Sequence, residues 1–291
     1  MRILAAALVL GALGLAGTAH ADRPFSEDGV WNRPIASNPA IDVLSPLRMI
    51  DLRRLMNTSE ATGKPPALNY KSWSTTVYHV DDSTPRQPLV IDGPVDASPS
   101  PQQVQLQALI DADGGVPFPA EAEPSDENDA QITVVNTDTG RLFEFFEAST
   151  PQQNAPGCTG LLPSGEPCHG DGRWHATTGG TMYDHQGDAG YFSRFSWPGL
   201  GPDDGWRWGA TATSLPMLGG LITLEDLDSG VIDHALHAAV PAACRAEIRF
   251  PAQRNDASAW QTYAACMPEG ARLQLNPLYN VNQLSHPLTR M

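Results

Sequence analysis

Proline interrupts this chain 26 times, and glycine occupies another 26 of its 291 positions. Proline removes a helix hydrogen bond and clashes with the preceding turn, and soluble domains carry only about 12% of the two residues combined. That argues against a helical bundle or a coiled coil. What remains is a fold of short elements joined by many turns. Hydrophobic residues make up 41% of the chain, enough for a sizeable core, so disorder is excluded as well. The formal net charge of −15 speaks against nucleic acid or an anionic membrane as partner, because both demand clustered Lys and Arg.

Residues 1–21 combine Arg2, an apolar stretch from Ile3 to about Ala16, and Ala19-His20-Ala21. This is the layout of a secretory signal peptide with small residues at the cleavage site. The apolar stretch is shorter than the ~20 residues a membrane span needs. The expectation is a secreted protein, extracellular or periplasmic, with a single domain over 22–291. Export makes Cys158, Cys168, Cys244 and Cys266 readable as disulfides. Three connectivities are open. Cys158–Cys168 with Cys244–Cys266 is favoured, because each pair closes a short segment. A zinc site from Cys158, Cys168, His169 and His175 is the alternative, but the spacing fits no Cys-x-x-Cys pattern.

Ser45-Pro46 opens a short helix through Met56, and Ser100-Pro101 opens a second through Ile110, stopped at Gly114-Gly115. Ile132 to Val135 and Arg141 to Glu147 flank an Asn/Asp/Gly turn, which predicts a hairpin apolar on both faces and hence central in a covered sheet. Thr223-Leu224-Glu225-Asp226 predicts a capping box and a helical turn or two ending at Gly230. Val231–Val240, Ala246–Phe250 and Ala271–Leu275 read as further strands. Many short strands with few helices and long loops predict a mainly β fold, a β-sandwich or jelly-roll-like domain.

Glu144 shares a strand face with Leu142 and Phe146. Such surroundings raise a carboxyl pKa, which suits a general acid; pairing with a buried arginine is the structural alternative. Trp174 to His185 reads as a loop around Gly179-Gly180 that mixes aromatic, hydroxyl, carboxylate and imidazole groups. Trp197, Trp206, Arg207 and Trp208 follow. Aromatic faces stack on sugar rings while Asp and His take hydroxyls, so this region is a candidate carbohydrate site. Asp184 or His185 would partner Glu144, Trp174, Trp206 and Trp208 would form platforms, and Arg207 would neutralise a uronate. His234 joins the candidate binding residues, flanked by Asp233 and His237. Ser125 to Asp129 is acidic but lacks the alternate-residue loop of a calcium site. No cofactor or metal is called for. Nucleophile-elbow, His-Glu-x-x-His, Walker and dinucleotide motifs are absent.

Several motifs occur in a distinctive order: Asp28 to Ile35, Arg141 to Phe146, Gly205-Trp206, Leu215-Pro216, Gly219-Gly220, Gly230 to Leu236 and Pro268 to Leu273. The ordered set, over roughly residues 28–275, resembles a group of secreted bacterial proteins of actinobacterial type. The resemblance implies export but no reaction. The group has an Asp-Arg-His triplet where this chain has Asp129-Ala130-Gln131, and a histidine where it has Gln253-Arg254. It also implies a chain that continues past Met291. The functional expectation is a secreted glycoside hydrolase or polysaccharide lyase acting on an extracellular or envelope polysaccharide. The alternative is a non-catalytic binding or structural protein of the envelope.

Overall fold

The computed structural model describes residues 24–25, 29–61, 69, 73–93, 99–182, 208–240, 243–256 and 266–274. In chain order the elements are α1 (Ser45–Ala61), β1 (Thr75–Val80), β2 (Arg86–Gln87), β3 (Leu89–Ile91), α2 (Pro101–Ala112), β4 (Val116–Pro117), β5 (Gln131–Asn136), β6 (Leu142–Ser149), β7 (Trp174–Met182), α3 (Leu224–Ser229), β8 (Ala243–Ile248) and β9 (Met267–Glu269). Strands outweigh helices, as the sequence predicts. The central sheet is open and mixed, in the order β1-β5-β6-β7-β3, and the other two sheets are ribbons of two strands. The predicted hairpin lies in its middle. Both edge strands pair parallel, β1 with β5 and β3 with β7.

The hairpin turn is built by Asn136, whose side-chain oxygen accepts from Asp138 and Thr139 N–H at 3.0 Å each. Every residue of β5 is buried, because both faces are covered. One face packs Ile132, Val134, Phe143 and Phe145 with Phe118, Trp174 and the α2 residues Leu106 and Ile110. The other packs Val135 and Leu142 with Phe25, Trp31, Leu215 and Leu218. Glu147 has φ of 54°, outside the extended region, and the alternation of β6 changes there. Beyond it Ala148 joins the same core cluster as Phe143 and Phe145.

α2 fixes the edge of the sheet. Ser100 and Gln103 form its capping box with Pro101 in the first turn. Gln107 then accepts from Ile91 N–H at 2.7 Å and donates to Leu89 C=O at 3.0 Å, satisfying β3 on its open side. Gln103 donates to Thr177 C=O at 2.8 Å. The end of β3 is thereby held against β7.

Three expectations are corrected, the first of them a loop. Residues 174–182 form a nine-residue strand, with Gly179 and Gly180 inside it. These glycines make room: a Cβ at Gly179 would stand 2.4 Å from Glu144 C=O, and one at Gly180 would stand 2.0 Å from Trp208 C=O. Residues 231–240 form no strand, because their backbone bonds go singly to separate segments: Ala235 N–H to Trp31 C=O and His237 N–H to Gly220 C=O. The last ribbon strand is β9, ahead of the predicted 271–275, and it pairs with β8. The α3 capping box and its left-handed Gly230 stand as predicted.

Both local disulfides are present, Cys158–Cys168 and Cys244–Cys266, and no cysteine is free. The second lies where α1 meets β8 and β9. There Arg48 donates to Cys266 C=O at 2.8 Å and pairs with Glu247 at 2.8 Å. Among the described residues no helix is long and apolar enough to cross a membrane.

Candidate functional site

The sharpest polar constellation lies where β3 runs out beside the start of β7. Val90 is in register with His175, so the chain leaving β3 carries Asp92 alongside it. Asp92 N–H donates to Ala176 C=O at 3.0 Å, and its Oδ2 accepts from His175 Nδ1 at 2.8 Å. The turn before β7 supplies the second carboxylate. Asp171 Oδ1 accepts from Arg173 N–H at 3.0 Å and from His175 Nε2 at 2.9 Å. Arg173 adds a guanidinium bond to Asp171 Oδ2 at 2.6 Å. Both ring nitrogens of His175 are thus held by carboxylates.

A second imidazole completes the group. His169 stacks on His175 with centroids 3.7 Å apart and planes 5° from parallel. Its Nε2 lies 3.5 Å from Asp92 Oδ2. Asn154, fully buried, organises the loop that carries it. The Asn154 amide donates to Ser149 Oγ, Thr150 C=O and Arg173 C=O, and its side-chain oxygen accepts from His169 N–H at 3.1 Å. The Cys158–Cys168 disulfide ties the same loop one residue before His169.

Exposure is graded across the group. The His175 side chain is 4% exposed, whereas Asp92, His169 and Asp171 are 30%, 30% and 29% exposed. Burial opposes a charge on His175, yet the bonds to Asp92 and Asp171 and their charges outweigh it and hold its pKa above the ordinary histidine value. Burial would likewise raise Asp171, but His175 and the Arg173 N–H and guanidinium hold its carboxyl well below the usual range. Asp92, His169 and His175 each present a donor atom, all within 4.8 Å of one another. Both cysteines of the zinc alternative are consumed by a disulfide, while its two histidines meet an aspartate instead.

Glu144 is placed elsewhere. Its side chain is 1% exposed. Its Oε2 accepts from Ala210 N–H at 3.1 Å and Met217 N–H at 2.9 Å, and its Oε1 from Leu218 N–H at 2.9 Å. Its partners are backbone amides of the chain that crosses the sheet, not an arginine. Burial raises its pKa against the three amide bonds that lower it. Trp174 stacks on Phe118 at 4.0 Å in the core. Trp208 is also buried, donating to Gly179 C=O at 2.8 Å, so neither ring faces solvent as a platform. His234 bonds Asp226 Oδ2 and Ala235 C=O at 3.0 Å each and belongs to the α3 cap. Asp184, His185, Trp206 and Arg207 lie outside the described residues.

Asp92 and Asp171 escaped the sequence reading. Asp171-Gly172-Arg173 carries a turn signal, but nothing in the local pattern links Asp92 to a histidine 83 residues away. Only the parallel pairing of β3 with β7 does so. No family model matches the chain, and no curated protein or solved structure is similar to it.

Proposed function

We propose that the chain is an exported hydrolase acting on extracellular or envelope carbohydrate, with Asp92, His169, Asp171 and His175 as its working site. One observation carries this reading: a nearly buried imidazole gripped through both nitrogens by carboxylates that stay open to solvent, with a second imidazole stacked on it. A buried ion pair is a poor source of stability compared with apolar packing, so such a group at a solvent-facing edge is better explained by chemistry than by folding. In hydrolysis the oxygen of water goes to the carbon of the cleaved bond and its proton to the leaving group. The carbohydrate class comes from the sequence. Asp184, His185, Trp197, Trp206 and Arg207 lie in the segment between Met182 and Trp208, whose ends are joined by the Thr181–Trp208 bridge. In this reading Glu144 holds the chain over the sheet and takes no part in the reaction. The two disulfides support export to an oxidising compartment.

The test is a polysaccharide panel with the disulfide-bonded protein, read for reducing ends and for the ultraviolet absorbance of unsaturated uronates. Reducing ends released by the wild type and lost in Asp92→Asn and His169→Ala, with the His169→Ala melt unchanged, support the proposal. Unsaturated products would make the enzyme a lyase. Binding to a polymer without cleavage would make it a binding protein.

A further inference from the structure

We propose that Asp92, His169 and His175 bind one divalent transition ion, zinc by the nature of the donors, with Asp171 as the carboxylate behind His175. The inference rests on the reading of this cluster as the working site, and it adds the cofactor.

Three features of the geometry bear on whether the cluster holds an ion. The first is convergence. His169 Nε2 and His175 Nδ1 both approach the same oxygen, Asp92 Oδ2, at 3.5 and 2.8 Å. Ligands that sit about 2.0–2.1 Å from one zinc ion stand roughly 3–3.5 Å apart; the His169 separation matches that value, and the 2.8 Å from His175 is a hydrogen bond that an ion would replace. A charge-assisted hydrogen bond from His169 would close to about 2.7–2.9 Å, and at 3.5 Å it has not closed.

The second feature is the stacked pair. Imidazole lone pairs lie in the ring plane, and these planes are 5° from parallel at 3.7 Å. One ion cannot lie in both parallel planes, so binding requires the partly exposed His169 ring to turn out of the stack and bring Nε2 onto the ion beside Asp92. Without an ion, the second ring brings a basic group against an imidazole that two carboxylates already satisfy. An ion gives His169 a role.

The third is the outer support. Asp171 accepts the Nε2–H of His175 at 2.9 Å, so an ion that displaces the Nδ1 proton shared with Asp92 would take Nδ1 as its ligand nitrogen. A carboxylate behind a histidine ligand is the usual outer partner of protein zinc sites. His169 is placed by Asn154 and tethered through Cys168.

Two imidazoles and one carboxylate suit zinc, whereas calcium and magnesium demand oxygen donors throughout. Three protein ligands leave a fourth position for water or substrate, the arrangement of catalytic zinc sites.

The experiment titrates zinc chloride into the disulfide-bonded chain after chelator treatment, by calorimetry, and repeats it with cobalt to read the visible spectrum of the bound ion. One ion per chain with micromolar or tighter affinity is expected, with a tetrahedral cobalt spectrum. His169→Ala and Asp92→Asn should abolish uptake. His169→Ala should leave the melting curve in place, since its side chain is partly exposed, whereas Asp92→Asn removes the charge facing buried His175 and should lower the melt. Asp171→Asn should weaken affinity by roughly 10–100-fold. Failure of the wild type to take up either ion, or equal affinity in His169→Ala and Asp92→Asn, would overturn the site. The two proposals separate cleanly: zinc bound without turnover of any polymer defeats the hydrolase reading alone, and turnover by a chain that takes up no zinc defeats this one alone.

Discussion

Glu144 and Leu218, 74 residues apart, are joined by a hydrogen bond of 2.9 Å from the Leu218 N–H to Oε1. With Ala210 and Met217 on Oε2, one carboxylate satisfies three backbone donors of the segment that covers the sheet. Glu144→Gln has only one oxygen to offer, so its NH₂ must face at least one buried N–H. An unsatisfied buried donor costs about 1–3 kcal/mol. Glu144→Gln should therefore lower the melting temperature while zinc uptake at Asp92 and His169 is retained. A melt equal to wild type would remove Glu144 from this role.

Gly180 lies directly across β6·β7 from Glu144, with Trp208 C=O where a Cβ would go, 2.0 Å away. The obstacle is backbone, which cannot swing aside like a flexible side chain. Gly180→Ala should cost roughly 3 kcal/mol by overpacking, measured by denaturant unfolding. Gly157→Ala separates backbone strain from space: its Cβ would meet nothing within 4 Å, but its φ of 82° is left-handed, so it should cost about 1–2 kcal/mol with no overpacking. A Gly180→Ala chain as stable as wild type would show that Trp208 does not lie on the strand as described.

Local signals were legible wherever a few adjacent residues decide the outcome. Thr223 with Asp226, Ser100 with Gln103, the Asn136 turn and both short cysteine loops all form as their chemistry suggests. The misses have one physical source, which is partners distant in sequence. Gly179-Gly180 carries a turn signal, but the close approach of Glu144, Phe145 and Trp208 decides that it is strand. Ile232, His234 and Leu236 alternate like a strand, yet among the described residues they pair with no strand. Asp92 carries no signal of its own, and only the pairing of β3 with β7 puts His175 beside it.

Glu269 ends β9, and burial together with the Asp256 carboxyl raises its pKa to about 7. A carboxyl raised on folding stabilises most when protonated, below the ordinary value of 4.5, and that contribution is lost as pH rises through about 7. The melting temperature should therefore fall between pH 5 and 8 by a component that Glu269→Gln removes. Parallel melts of the two proteins across that range give the comparison. Identical slopes would show that Glu269 titrates normally.

His237 sets the acid side. Its ring meets Trp31 edge-on at 4.5 Å, and among the described residues neither ring nitrogen has a hydrogen-bond partner. Burial makes the charged form costly, and the pKa drops to about 4 from the ordinary 6.5. The unfolded chain takes up a proton here before the folded one does. Stability from this group is therefore full above pH 6.5 and is lost as pH falls through about 4. His237→Phe keeps a flat ring against Trp31 and removes the titration. The variant should melt near wild type at pH 7 and hold its stability better at pH 4 to 5. Acid sensitivity unchanged in His237→Phe would place the acid-labile group elsewhere in the chain.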